Sequence, residues 1–355
     1  MLHIIKNLYF LLIGIIGISF LISFHEFGHF IFARLFGIKA PSFSIGFGPK
    51  LISKKIGGTE FSLSAIPLGG YVEIAGNEEI GQGGQKDAKS KGNDSFNVKP
   101  YWQQLLVMFG GIMFNFFFAY FIIIGLFATG MPETPFLYPE KVKTIVQAVA
   151  PGSLAEKNNI QDGDTIISVN NKGVNTFKEY IDAVQKTNNE EVTFKIKESN
   201  GNIRSVVGKV PLGIVGFHVR NLPKQGIIES IQNGFHATNG MITNLFHGLS
   251  HIFKKRKFDG LGGPIAIFSQ TFKTAQQGVK PFLIFLVLFS IQLALLNLLP
   301  LPILDGGQIV FITIEAIAGR ELPNNIRMGI QYACWIFMIL LTIAITFQDI
   351  KKLLF

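Results

Sequence analysis

His25, Glu26 and His29 stand together in His25-Glu26-Phe27-Gly28-His29. On a helix, residues four apart lie one above the other on the same face, so the two imidazoles can close on a single tetrahedral zinc with Glu26 beside the next open position. The chemistry of such a set is hydrolysis. Neutral imidazoles bind the ion, a water at the open position is acidified, and a carboxylate takes its proton. Glu26 is the candidate base.

Chance produces this five-residue pattern in roughly one chain in a hundred of this length, so its surroundings have to decide. An apolar run from Leu8 to Phe24 leads straight into the motif. Ionisable residues inside a membrane helix cost about 2.5 to 3.5 kcal/mol each on insertion scales. Zinc binding, worth about 10 kcal/mol or more in small peptides, offsets such a cost. The alternative is unpaired polar residues at a membrane interface.

A catalytic zinc has three protein ligands as a rule, and two histidines leave one to find. The candidate is Asp305, in Asn297-Leu298-Leu299-Pro300-Leu301-Pro302-Ile303-Leu304-Asp305-Gly306-Gly307, the first acidic residue after Leu261. The two prolines unwind a helix where a carboxylate must turn inward. By itself Asp305 could equally cap the next helix. Asn297 could donate hydrogen bonds to a substrate carbonyl or oxyanion, or could cap the broken helix.

The elements that must position these residues belong to a membrane protein. The chain has 355 residues, is 48% hydrophobic and 15% charged, and contains 35 Phe, too apolar for an ordinary soluble domain. Its Lys and Arg residues are scattered, so the net charge of +9 reads as juxtamembrane charge facing anionic lipid rather than a nucleic-acid surface. Cys334 is the single cysteine, which excludes an internal disulfide and a Cys-ligated zinc.

Four stretches are apolar enough to span a membrane: Ile4 to Phe24, Leu105 to Phe127, Pro281 to Leu299 and Tyr332 to Phe347. Lys6 ahead of the first resembles a secretory leader, but no small-residue cleavage site follows, so a retained helix is expected. Ile309 to Ile317 continues the third span beyond its prolines. The first and third spans, separated by one other, run in the same direction, and each carries its polar motif far along its length. The two motifs therefore lie at the same depth.

The fold expected is a polytopic α-helical membrane protein of about four spans, carrying a membrane-associated β region and one inserted soluble α+β domain. Residues 1–39 hold the first span and the motif. Residues 40–75 alternate polar with apolar in Ser42 to Gly48 and Glu60 to Ser64, as strands do. Residues 76–100 are expected as a flexible linker, because Gly76 to Asp94 is rich in Gly, Gln, Lys, Asn and Asp. Then come the second span over 101–130, a soluble domain over 141–212 and an amphipathic helix over 226–258. The third span with its Asn-Pro-Asp-Gly region covers 281–318, and the fourth 329–348.

These motifs resemble those of the site-2 protease family of intramembrane-cleaving zinc metalloproteases, in its regulator-of-sigma-E protease branch. Gly69-Gly70-Tyr71-Val72 and Gly262-Gly263-Pro264-Ile265 add to the resemblance. It implies one zinc per chain on His25, His29 and Asp305, Glu26 as base, and Asn297 positioning substrate. It also implies a membrane-reentrant β-loop ending near Gly70 and Tyr71 that pairs with an unwound substrate. Gly111-Ile112-Met113-Phe114-Asn115 is similar to the family's second-span Gly-x-x-x-Asn pattern but lacks its usual proline, so Asn115 is expected to be structural or to contact substrate.

Pro151 to Glu156 and Gly163 to Asn170 resemble the circularly permuted PDZ domains of bacterial proteases. Such a domain binds an extended peptide at a sheet edge, unless it has kept the fold and lost the groove. There is room for one copy where many relatives have two. Arg34, Lys39, Lys50, Lys54 and Lys55 follow the first span and set its zinc end toward the cytoplasm of a bacterial inner membrane, with the PDZ domain on the periplasmic side. Lys254 to Lys257 falls outside, against the rule, which is weak for long connections. Expected partners are a transmembrane protein or peptide already cut by another protease and membrane lipid, not nucleic acid. A transporter would also place polar groups in the membrane, but would not need histidines at this spacing. A catalytically dead scaffold would have no use for Glu26.

Overall fold

The computed structural model describes residues 2–77, 87, 90–131, 142–149, 153–185, 187, 191–209, 214–217, 222–255 and 263–354. In chain order they form α1 (Leu2–Leu35), β1 (Ser42–Ile56), β2 (Thr59–Glu73), a short 3-10 turn (Phe96–Val98) and α2 (Tyr101–Thr129). A run of small elements follows: β3 (Val146–Val149), α3 (Leu154–Lys157), β4 (Thr165–Val169), β5 (Lys172–Gly173), α4 (Phe177–Gln185), β6 (Glu191–Lys197), β7 (Ile203–Lys209) and β8 (Ile214–Phe217). The chain then returns to helix: α5 (Ile227–Lys255), α6 (Pro264–Gln277), α7 (Val279–Asn297), α8 (Asp305–Ala318) and α9 (Asn324–Leu354). Two compact units result, one of residues 1–123 with 242–355 and one of residues 124–241.

Among the described residues, α1, α2, α7 and α9 are long and apolar enough to cross a membrane, with mean hydropathy between 2.0 and 2.3. At 1.5 Å per residue the 19 residues of α7 reach about 28 Å, close to the hydrocarbon thickness of about 30 Å. Helix α1 passes through the histidine motif without a break and ends at Leu35. Helix α7 stops at Asn297, since neither Pro300 nor Pro302 can donate the hydrogen bond that continuation needs. The third span is therefore two helices, α7 and α8, joined by residues 298–304. Helix α8 begins tight against that join. A Cβ on Gly306 would sit 2.5 Å from the carbonyl oxygens of both Leu298 and Leu299, so only glycine fits.

The β region is more extensive than its alternating segments indicate. Residues 42–45 of β1 lie between residues 60–63 and 70–73 of β2, while residues 50–56 pair with 59–64. Two long bent strands thus make one sheet of four segments in the order 50–56, 59–64, 42–45, 70–73, with residues 70–73 at one edge. The bends fall at Gly46 and Gly69, both at positive φ, where L side chains are strained. Ring contacts of Phe30 with Phe43 at 5.7 Å and Phe61 at 5.5 Å fasten the sheet to α1 one residue beyond His29, each worth about 0.5–1.5 kcal/mol beyond area burial.

One expectation needs correction. The stretch 76–100 is not a free linker where it is described: Lys39 N–H donates to Asp94, Phe96 N–H donates to Ala75, and Ser95 and Phe96 are buried. Asn97 Nδ2 donates to the Ser90 carbonyl and Ser95 Oγ to Ser90 Oγ. Helix α6 was not anticipated, because Gln and Thr interrupt its apolar pattern. Asp349 of α9 holds its first turn, accepting from the N–H groups of Gly263 and Ala266. Residues 256–258 of the amphipathic segment lie outside the described residues.

The second unit has an antiparallel sheet in the order β5-β4-β6-β7 and a separate β3-β8 pair. Val146, Ile166, Val169, Val192, Phe194 and Ile196 form its core, alternating along β6 as a half-buried strand requires. Thr176 and Glu179 make a reciprocal capping box at the start of α4. Because β8 pairs with β3, the domain reaches Phe217, beyond the expected end at 212.

Candidate metal centre

Helix α1 brings His25 and His29 to one face, with their Nε2 atoms 3.2 Å apart. Both are 5% exposed. Asp305, the first residue of α8, completes a triangle: its Oδ2 lies 3.3 Å from His25 Nε2 and its Oδ1 3.4 Å from His29 Nε2. The N-cap position of α8 is Leu304, which has no polar side chain, and the Asp305 carboxylate is turned to the histidines.

The donor set fits a metal ion. One ligand atom from each of the three residues lies within 4.8 Å of the others, and the buried Asp305 Oδ2 has no hydrogen-bond partner. His29 Nδ1 is 2.8 Å from the carbonyl oxygen of Val107. A carbonyl only accepts, so Nδ1 carries the proton and the Nε2 lone pair faces the cluster. Two nitrogens and one carboxylate with a position to spare is the donor set of a catalytic zinc.

Glu26 stands beside this triangle and accepts from the backbone N–H of Val72. With His29, Asp305, Leu304 and Gln308 it lines a cavity of about 90 Å³, small beside the roughly 300–1,000 Å³ of ordinary ligand pockets. Asn297, at the end of α7, puts its Nδ2 3.2 Å from His25 Nε2. Asn115 is fully buried with Nδ2 3.0 Å from His25 Nδ1, at the opposite end of the ring from Asp305. Gly70 and Tyr71 do not line the cavity. They lie next to Val72 on the sheet edge, Tyr71 stacked on Phe47 and Gly70 packed so closely on Ser44 that a Cβ would come 2.7 Å from its carbonyl oxygen.

Sequence reasoning missed Val72, Val107 and Gln308. The first two act through the backbone, which every residue has. Gln308 left a signal, a lone amide near the start of an apolar helix.

The sequence matches the family model of Peptidase family M50 over residues 13–341. The chain belongs to that family. A candidate zinc metalloprotease of Campylobacter jejuni is 32% identical over 356 residues, covering 96% of this chain and 93% of its own. One from Rickettsia conorii is 33% identical, covering 96% and 98%. Zinc metalloprotease RasP of Shouchella clausii is 28% identical, covering 94% and 97%. With the M50 assignment and four spanning helices, the chain is a membrane-embedded zinc metalloprotease.

Proposed function

We propose that this protease hydrolyses a peptide bond inside the transmembrane segment of a single-pass protein or peptide, with zinc on His25, His29 and Asp305 and Glu26 as the base. The observation that carries the reading is the convergence of three ligating atoms, with a carboxylate beside them, among helices made to lie in lipid. Bound there, zinc supplies a water acidified toward neutrality and a Lewis acid for the scissile carbonyl. Glu26, held by Val72, takes the proton of a water in the adjoining cavity and returns it to the leaving amine. Asn297 donates its amide N–H to the carbonyl oxygen as charge develops.

A helical substrate shields its carbonyls in hydrogen bonds, so it must unwind before it is cut. Residues 70–73 form the sheet edge, where an extended chain can add as a further strand. Leu51, Ile52 and Ile56 on β1 are more than half exposed, which suits a hairpin that dips into lipid. The narrow cavity implies that substrate enters by parting α8 or the sheet from α1.

The second unit is read as a single PDZ domain, in a regulator-of-sigma-E type protease of the bacterial inner membrane, with the zinc end toward the cytoplasm and this domain outside. It screens substrates already shortened by another protease, such as an anti-sigma factor or a remnant signal peptide, by grasping a freed end or by excluding bulk. Lipid is the other partner, and nucleic acid is not one. The test uses the purified full chain with a single-pass reporter substrate. Glu26→Gln keeps its zinc and lowers turnover by about 10² to 10⁴. Undiminished turnover refutes the base assignment, and equal cutting of soluble, unstructured peptides refutes the membrane specificity.

A further inference from the structure

We infer that α2 backs the metal centre with a stripe of three residues, Val107, Gly111 and Asn115, that decides which nitrogen of each imidazole is left free for the ion. This rests on the metal-centre reading above. The three are four apart and therefore share one helix face. Each meets a histidine ring in a different way.

Val107 offers its carbonyl to His29 Nδ1, as described, which leaves one tautomer for that ring. Gly111 offers absence. A Cβ there would lie 2.6 Å from His25 Cε1 and 2.7 Å from His25 Nε2, and closer still to His29 Nε2. Any other residue drives both rings off the helix, and with them the reach of His29 to Val107. Asn115 offers an amide to His25 Nδ1 at 3.0 Å.

The amide can serve the ring in either of two ways. With Nδ2 toward the ring, it donates to Nδ1, and the ring proton sits on Nε2 among Asp305 and Asn297. After a half turn, Oδ1 accepts from Nδ1–H and the Nε2 lone pair enters the site. Oδ1 is buried with no partner of its own, so the turn breaks no hydrogen bond made by that oxygen. Metal-bound histidines ordinarily donate their other N–H to an acceptor, which fixes the ring and raises its basicity. The half turn supplies that acceptor to His25. The Asn115 carbonyl, in turn, accepts from the buried Ser290 Oγ of α7 at 2.9 Å, which fixes the stripe in register with the helix that ends at Asn297. Asn115 is thus a positioning residue, acting through His25.

The experiment measures zinc affinity of the purified full chain by chelator competition, with the absorption bands of the cobalt-substituted protein as a second readout. Asn115→Leu matches the shape and removes the acceptor. It weakens zinc binding by roughly 10- to 100-fold and shifts the cobalt bands. Asn115→Asp restores an acceptor and stays closer to wild type than the Leu variant. The reverse order, Leu tolerated and Asp damaging, is what mere packing requires and overturns the inference. A measurement needing no variant at position 115 is NMR of isotope-labelled histidine in the zinc-loaded chain: His25 and His29 both carry their proton on Nδ1, and a proton on Nε2 of either overturns it. Zinc binding that survives His29→Ala removes the metal-centre reading and this inference together. Binding that needs His29 but ignores Asn115→Leu overturns the inference alone.

Discussion

Substituting alanine for Gly28 tests whether the closeness of α1 and α2 is what makes the metal centre. Gly28 lies between the two histidines and faces Gly110 of α2. A Cβ on Gly28 would lie 2.6 Å from the Gly110 carbonyl carbon and 2.9 Å from the Gly111 nitrogen. Carbon atoms rest at about 3.5 Å or more, so the helices must part by about 1 Å. A displacement of that size lengthens the 2.8 Å contact from His29 to Val107 and the 3.0 Å contact from His25 to Asn115 beyond hydrogen-bond range. Overpacking costs about 1–3 kcal/mol of stability, and loss of both ring tethers costs at least the roughly tenfold in metal affinity of losing one. The assays are thermal unfolding in detergent and zinc release to a chelator. Gly125→Ala in α2 is the control, since nothing lies within 4 Å of an added Cβ there, and it gains up to about 1 kcal/mol from helix propensity. Wild-type zinc retention in Gly28→Ala would refute the reasoning, because the ring tethers cannot survive the parting that the added methyl demands.

Other perturbations reach other parts of the molecule. Asp349→Ala leaves the N–H groups of Gly263 and Ala266 at the start of α6 without their carboxylate, and lowers stability by about 0.5–2 kcal/mol; an unchanged melting temperature would show that the cap is dispensable. In the second unit, burial pushes the Tyr180 phenol up to about 12, above its value of about 10 in an unfolded chain. The unfolded state then loses its proton first as pH rises, so stability is full below pH 10 and falls by at most about 3 kcal/mol as pH climbs through 12. Tyr180→Phe flattens that alkaline loss, read by unfolding of the second unit across the range, and an equally steep loss in the variant would contradict the assignment.

What the sequence discloses is what local spacing encodes. His25 and His29 stand out because four residues make about one helical turn, and Asp305 because it is the first acidic residue after Leu261 and follows two prolines. Asn297, between an apolar helix and Pro300, stands out for the same reason. The partners that aim these groups are hidden for a physical reason. The Val107 carbonyl and the Val72 N–H belong to the backbone, and Gly111 contributes a missing atom. Long-range pairing is equally silent: β8 belongs to its domain only through β3, and α6 starts where it does through a carboxylate near the far end of the chain. The latter half of β1, with lysines beside isoleucines, carries no clean alternation and is a strand because β2 lies against it.

The triangle at the centre draws two corners from α1 and the third from α8, with most of the chain between them. On the ribosome the histidines emerge early and must wait, already inserted in lipid, until the segment bearing Asp305 has been translated and folded against them. Nascent or prematurely terminated chains lack the third corner. On the proposed reading, the order of synthesis delays the ability to cut until α8 has been made.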